Sequence, residues 1–444
     1  MSKKKLLIAA AILAASLAVY GGARWRSFLS PPRSRLAPDA AFPEMPPDER
    51  HRYITLPIDH KDPSKGSFRS FYVLSPGFSK DKSLIFFLYD GQQEMLSVPP
   101  DLSDFDKYLG GLSYAVVRWR GHSPVLLPEV YGGAGRADLA KALDLYGSHQ
   151  AVEDVEAVRR DMVAQGLLRG GAKIMLIGAS GGGVFVQQYL SKYGRHVSRA
   201  VLMSTGAPDL AREQGSTFLQ GLADYDQETA RELRELLSRR GGRADPNLMW
   251  LLFRVGIRSD GPGPMLEIIR SLKDGRRLPY WKRLCTPWFN FPFVRLLFRS
   301  PLIDAGKARI FEIAGPDLMS YVPGKGQGII LQYEWIHVIL SEFVEAARRG
   351  DIRVPELRMD RAAFRGQVLV VGGDRDFDFA PEAYRAMGGA YFKSRVAIIR
   401  GGHHLFDDAT VSMCRAFFEG GLESAEFLRR YDKAVGGPAG PPDP

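Results

Sequence analysis

The chain has 444 residues, 45% hydrophobic and 25% charged, a globular composition that excludes disorder, a collagen-like repeat and a multi-span membrane protein. Two cysteines, Cys285 and Cys414, are too few for a disulfide framework or a cysteine-based zinc site. The net charge of +10 comes from 60 basic and 50 acidic side chains scattered in short pairs such as Arg239-Arg240 and Arg348-Arg349, with no nucleic-acid motif beside them, so nucleic acid is not an expected partner.

Lys3-Lys4-Lys5 precede an apolar run from Leu6 to Tyr20, followed by Gly21, Gly22, Ala23 and then Arg24. A basic start, a short apolar stretch and small residues describe residues 1–23 as a secretory signal peptide. Counted to Ala23, the stretch also just suffices for a signal-anchor in the membrane. Either way the remainder is expected to be exported: periplasmic, secreted, or held at the membrane by its N-terminus. Residues 24–51, rich in proline, read as a linker, and 435–444 as a flexible tail.

Between these ends, near-continuous apolar runs read as strands at Phe71–Leu74, Ser83–Leu88, Tyr114–Val117, Lys173–Ile177, Val201–Ser204, Gln367–Val371 and Val396–Ile399. Helical patterns alternate with them. Val152–Gln165 sets Val155, Val158 and Met162 on one face, and a second helix, Gly183–Tyr193, follows a glycine cluster. Such alternation predicts an α/β fold with a mostly parallel sheet, built from 52–207 and 360–434. It stops over 208–359, a stretch rich in helix formers and aromatics that reads as a mainly helical lid insertion.

The strand Lys173–Ile177 runs into Gly178-Ala179-Ser180-Gly181-Gly182, then a helix. G-x-S-x-G between a strand and a helix is a nucleophile elbow: small residues two before and two after the serine let strand and helix pass closely, and the hydroxyl sits at a helix N-terminus. Ser180 is therefore the candidate nucleophile. Downstream, the strand at 367–371 leads into Gly373-Asp374-Arg375-Asp376-Phe377-Asp378, and that at 396–399 into Gly402-His403-His404. Both segments leave the C-terminal ends of strands, as Ser180 does, on the edge where open α/β sheets place their sites. Asp376 is the favoured acid, ahead of Asp378 and Asp374, and His403 the favoured base over His404. An oxyanion hole needs two backbone N–H groups. One is expected from Gly181, the other from the turn Tyr89–Gln93, at Gln92 or Gly91. The chemistry needs no metal or organic cofactor.

On these residues the body resembles an α/β-hydrolase, nearest to serine peptidases of the prolyl aminopeptidase and tripeptidyl aminopeptidase type. The elbow Gly178–Gly182 carries the resemblance, with Ile54–His60 plus Asp62-Pro63, Arg118–Ser123 and Gln150–Arg159. It covers about 52–205 and 360–425. Tyr89–Gln93 departs from that family's H-G-G-P-G turn, and Gly181 replaces a residue that is often large. The resemblance implies an exported serine hydrolase forming an acyl-enzyme and acting on short peptides, with Glu334 in the insertion as a counterpart of acids that hold a substrate's amino group. A carboxylesterase or lipase with an apolar lid is the alternative within the fold, and a catalytically silent binding protein the alternative outside it.

Overall fold

The computed structural model describes residues 37–436, apart from 38, 43, 91–94, 97, 123, 133–134, 240–244, 260, 285–303 and 325–327. The basic and apolar N-terminal segment and Cys285 lie outside these residues. Cys414 is a buried free thiol.

Eight strands form one sheet: β1 (His51–Pro57), β2 (Ser67–Leu74), β3 (Ile85–Leu88), β4 (Tyr114–Val117), β5 (Ile174–Ala179), β6 (Val197–Met203), β7 (Gln367–Gly373) and β8 (Lys393–Ile399). Their order is β1-β2-β4-β3-β5-β6-β7-β8. β2 is antiparallel to both β1 and β4, and every other neighbouring pair is parallel. An antiparallel hairpin at one edge, a crossed β3/β4 pair and four parallel strands after it define the α/β-hydrolase fold. The central strands read IFFL and YAVV because helices cover both sheet faces, and every one of those side chains is buried.

The sequence pattern misses β1 as an apolar run and shortens β2, β6 and β8. Their missing portions carry Arg52, Arg69, Arg199 and Arg395, charged residues that interrupt the apolar signal. The Pro-rich stretch is also not all linker. Phe42 is buried, its ring packed 5.5 Å from that of Phe71, its amide donating to the Tyr53 hydroxyl at 2.9 Å. At the other end the helix Ala425–Gly436 runs two residues into the segment read as a tail.

Between β6 and β7 the described residues contain helices and no strand. Part of this segment is fastened to the sheet domain rather than laid over it. In the helix Asp304–Ser320, Arg309 is fully buried and donates to the carbonyls of Tyr146 (3.0 Å) and Arg120 (2.8 Å). Glu312 accepts from the Ser148 amide at 2.7 Å, at the positive end of the helix Ser148–Ala164.

A buried polar knot underlies the catalytic edge. Arg120, just past β4, donates to Asp154 through Nε (2.6 Å) and Nη2 (2.5 Å), and to the Ile58 carbonyl at 2.8 Å. His60 Nε2 lies 2.7 Å from the same carboxylate. The three stretches around Ile54–His60, Arg118–Ser123 and Gln150–Arg159 thus meet in one network that ties β1, β4 and a covering helix together.

Candidate active site

The elbow holds Ser180 at φ 51°, ψ −129°, outside the regions an L-residue prefers. Such backbone costs of order 1–3 kcal/mol and survives only where its surroundings dictate it. Here they do. The Ser180 amide donates to the Met203 carbonyl of β6 at 3.0 Å, and its carbonyl accepts from Gly183 at 3.0 Å. A Cβ at Gly178 would sit 2.5 Å from the Gly182 carbonyl oxygen, and one at Gly182 only 2.1 Å from that of Leu88. The glycines are what allow strand, turn and helix to close on the serine. The helix Gly181–Tyr193 starts at the next residue, so the Gly181 amide is one of the first-turn N–H groups with no intrahelical acceptor.

Three strand ends converge on this point. His403 Nε2 lies 3.2 Å from Ser180 Oγ, and its Nδ1 lies 3.0 Å from both carboxylate oxygens of Asp376. The carboxylate therefore accepts the hydrogen bond from Nδ1–H, which leaves the Nε2 lone pair facing the serine hydroxyl. Asp376 is 2% exposed. Burial alone would raise its pKa, yet the positive His403 ring, the bonds from His403 and Tyr384 and the Asp378 amide together hold it below the usual carboxylate range. In return, although burial disfavours the imidazolium, Asp376 raises the His403 pKa above its ordinary value.

The other two aspartates do different work. Asp374 accepts from the Gly401 amide at 3.0 Å and so pins the histidine loop to the acid loop. Asp378 donates its amide to Asp376 at 2.8 Å. Its own carboxyl is buried and pushed up to about 7, by burial first, with the charge of Asp376 adding to the shift and that of His403 opposing it. The His404 ring is instead stacked on Phe406, with ring centroids 5.5 Å apart. Gln92 and Gly91, expected to supply the second oxyanion donor, lie outside the described residues.

Glu334 lies in the insertion and is buried. Its Oε1 accepts from the Tyr321 hydroxyl (2.7 Å) and the Gly324 amide (2.8 Å), and its Oε2 is sealed from solvent. Through Oε1 the carboxylate braces a turn inside the helical segment. Two residues invisible to motif reading do support the site. Tyr384 donates to Asp376 Oδ2, and its ring fills the space that a side chain at Gly372 would need. Gln220 Nε2 donates to the carbonyls of Asp376 (2.6 Å) and Phe377 (2.9 Å), bracing the acid loop from the insertion. The glycine pair ending β7 was the one available signal for Tyr384.

No family model matches the chain, and no curated protein matches it significantly. Among solved structures, it is similar to a serine hydrolase from Cycloclasticus zankles, at 14% identity and TM-score 0.38, over 84% of this chain and 100% of that one. It is also similar to an esterase from a Rhodococcus species, at 16% identity and TM-score 0.37, over 79% and 95% of the two chains. A third is 2-hydroxy-6-oxo-6-phenylhexa-2,4-dienoate hydrolase from a Rhodococcus species, at 14% identity and TM-score 0.35, over 80% and 92%. The α/β-hydrolase fold of this chain stands on its own strand order and elbow.

Proposed function

We propose that the protein is a serine hydrolase that cleaves carboxylic esters through an acyl-enzyme. The observation that carries this reading is the unbroken relay from Ser180 Oγ through His403 to the buried Asp376. His403 Nε2 takes the Ser180 proton as Oγ adds to the ester carbonyl. The Gly181 amide, at the positive end of its helix, receives the developing oxyanion. The tetrahedral adduct collapses, His403 gives its proton to the departing alkoxide, and the acyl group remains on Ser180. Water, deprotonated by the same nitrogen, repeats the addition and releases the carboxylic acid.

An ester is favoured over a peptide because Glu334, the amino-group counterpart that the peptidase resemblance implied, is buried in the insertion with Oε1 already accepting from Tyr321 and Gly324. One observation supports the peptidase reading. The Asp378 carboxyl is next to the relay, and its charged form is an anion that a substrate ammonium would stabilise. Comparing p-nitrophenyl acyl esters with aminoacyl- and prolyl-naphthylamides separates the two. The deciding experiment for the shared chemistry is labelling by a fluorophosphonate probe. Wild type should label on Ser180, and Ser180→Ala should lose labelling and roughly 10⁴–10⁶ of its ester turnover. Retained turnover in that variant would overturn the assignment. Export belongs to the same proposal, supported by the basic start and apolar run of residues 3–20. It is tested by fractionating cells that carry the full chain and a chain lacking residues 1–23.

A further inference from the structure

A cavity of about 300 Å³ opens at the edge of the sheet opposite the catalytic relay. Arg159, Arg160 and Val163 reach it from the helix Ser148–Ala164, Ala172 from the turn before β5, and Arg195 and His196 from the turn before β6. Ser180 follows the other end of β5, a strand of six residues, so the nucleophile is on the order of 20 Å away. The acyl-transfer chemistry uses none of these side chains.

The wall of this cavity carries three guanidiniums and no carboxylate. One carboxylate stands behind them. Glu156 accepts from Arg159 through Nε (2.8 Å) and Nη2 (2.7 Å) and from the Tyr189 hydroxyl (2.7 Å), and lies 3.9 Å from Arg160 Nε. Arg195 has no carboxylate among the described residues. Its Nε donates to His196 Nε2 at 3.1 Å, which sets the ring proton on Nδ1, 3.4 Å from Glu156. Three guanidiniums against one carboxylate leave two positive charges in surplus. A helix dipole draws cations to the last turn of a helix. That accounts for Arg195 and His196, which follow the nucleophile helix. It does not account for Arg159 and Arg160, because the last turn of theirs holds no basic residue. Water screens exposed like charges, so repulsion is not what marks the place. What marks it is the convergence of three guanidiniums on one concavity, with Arg159 and Arg195 held in orientation by their neighbours.

A guanidinium presents paired N–H groups that match the oxygens of a phosphate or a carboxylate. Two surplus charges suit a phosphate monoester, which carries about −1.5 to −2 at neutral pH, better than a monocarboxylate. At about 30 Å³ per water the space equals roughly ten waters, more than a bare phosphate fills. Val163 and Ala172 give the cavity little apolar wall, so the group carried by the phosphate is small and polar where it enters.

We propose that Arg159, Arg160 and Arg195 form a binding site for a phosphate monoester, separate from the catalytic edge. A soluble ester and a phospholipid headgroup present the same group, and the experiment distinguishes the two sources. Binding here does not rest on the serine-hydrolase reading and is measured without turnover.

Arg159 is a poor choice for the test, because its loss would strand the buried Glu156. Arg160 and Arg195 are exposed and can change without harm to the fold. Titration calorimetry of the whole protein with glycerol 3-phosphate at low salt should show saturable binding with Kd below about 1 mM, and glycerol should show none. Arg195→Gln and Arg160→Gln should each weaken binding at least about tenfold. Arg358→Gln removes the same charge from an exposed position elsewhere and should bind as wild type does. Ser180→Ala should also bind as wild type does. Four results would each overturn the proposal: no saturation by about 10 mM, equal binding of glycerol, a loss in Arg195→Gln no larger than in Arg358→Gln, or loss of binding in Ser180→Ala. Once the titration is positive, sedimentation with phosphatidic acid vesicles names the source. A lipid headgroup predicts that Arg195→Gln sediments less than wild type, and a soluble ester predicts that the two sediment alike.

Discussion

Arg361 and Asp209 form a buried ion pair that closes the neck of the helical segment. Arg361 Nη2 donates to Asp209 Oδ1 at 2.6 Å and Nη1 to Oδ2 at 2.8 Å, and Gln187 of the nucleophile helix accepts from the same guanidinium at 2.8 Å. The two residues are 152 apart in sequence and stand where the chain leaves and re-enters the sheet domain. Breaking a buried pair strands a charge, which costs roughly 3–5 kcal/mol. Arg361→Met should therefore lower the unfolding free energy by about that much in urea titration, while the double variant Asp209→Leu/Arg361→Met recovers part of the loss. A single-variant loss under about 1 kcal/mol would show that the neck does not depend on the pair.

Asp376 and Asp378 compete in sequence but not in geometry. Asp376 alone holds His403 Nδ1. Asp376→Asn presents the wrong tautomer to the serine and should cost about 10⁴ in kcat, as such replacements do in serine proteases. Asp378→Asn keeps the amide that donates to Asp376. Its effect on kcat for a neutral ester should stay under about tenfold. Comparable losses in the two variants would mean that the acid has been misassigned.

The same residue makes stability depend on pH. Asp378 is pushed up to about 7 from an ordinary value of 3.8. A carboxyl whose folded pKa is raised stabilises the fold below its unfolded pKa, and that contribution is lost as pH rises through the folded value. The loss should span about pH 4 to 8. Asp378→Asn cannot ionise, so its melting temperature relative to wild type should rise by a few degrees between pH 5 and pH 8.5. A difference that stays constant across that range would contradict a buried, neutral-leaning carboxyl.

The catalytic edge was legible because its signals are local. An elbow needs Gly178, Ser180 and Gly182 within five residues, and the acid and base follow strands whose apolar runs stand out. Long-range support was not legible. Arg309, Arg361 and Gln220 look like ordinary polar residues of a helical stretch until folding brings them to Arg120, Asp209 and the acid loop. The stretches around Arg120 and Asp154 raised a peptidase resemblance, yet in the structure they meet each other in a buried knot. What they report is how the sheet is tied, which many substrates can share. The surroundings of Glu334 were hidden for a related reason. A glutamate on an amphipathic helix gives no sign that a tyrosine and a backbone amide will occupy it.

Gly182 offers the sharpest test of the elbow itself. A Cβ there would fall 2.1 Å from the Leu88 carbonyl oxygen and 3.0 Å from the Tyr89 carbonyl carbon, backbone atoms at the exit of β3 that have no rotamer to yield. Gly182→Ala must therefore lift the start of the nucleophile helix away from β3, and with it Ser180 and the Gly181 amide. A displacement of about 1 Å at a reacting centre costs on the order of 10² in rate. The expected result is a drop of at least that size in kcat/KM and in the rate of fluorophosphonate labelling. Gly170→Ala, with open space around its Cβ position, serves as the matched control and should behave as wild type. If Gly182→Ala labels at the wild-type rate, close strand–helix contact is not what positions Ser180, and the geometric basis of the elbow here would have to be abandoned.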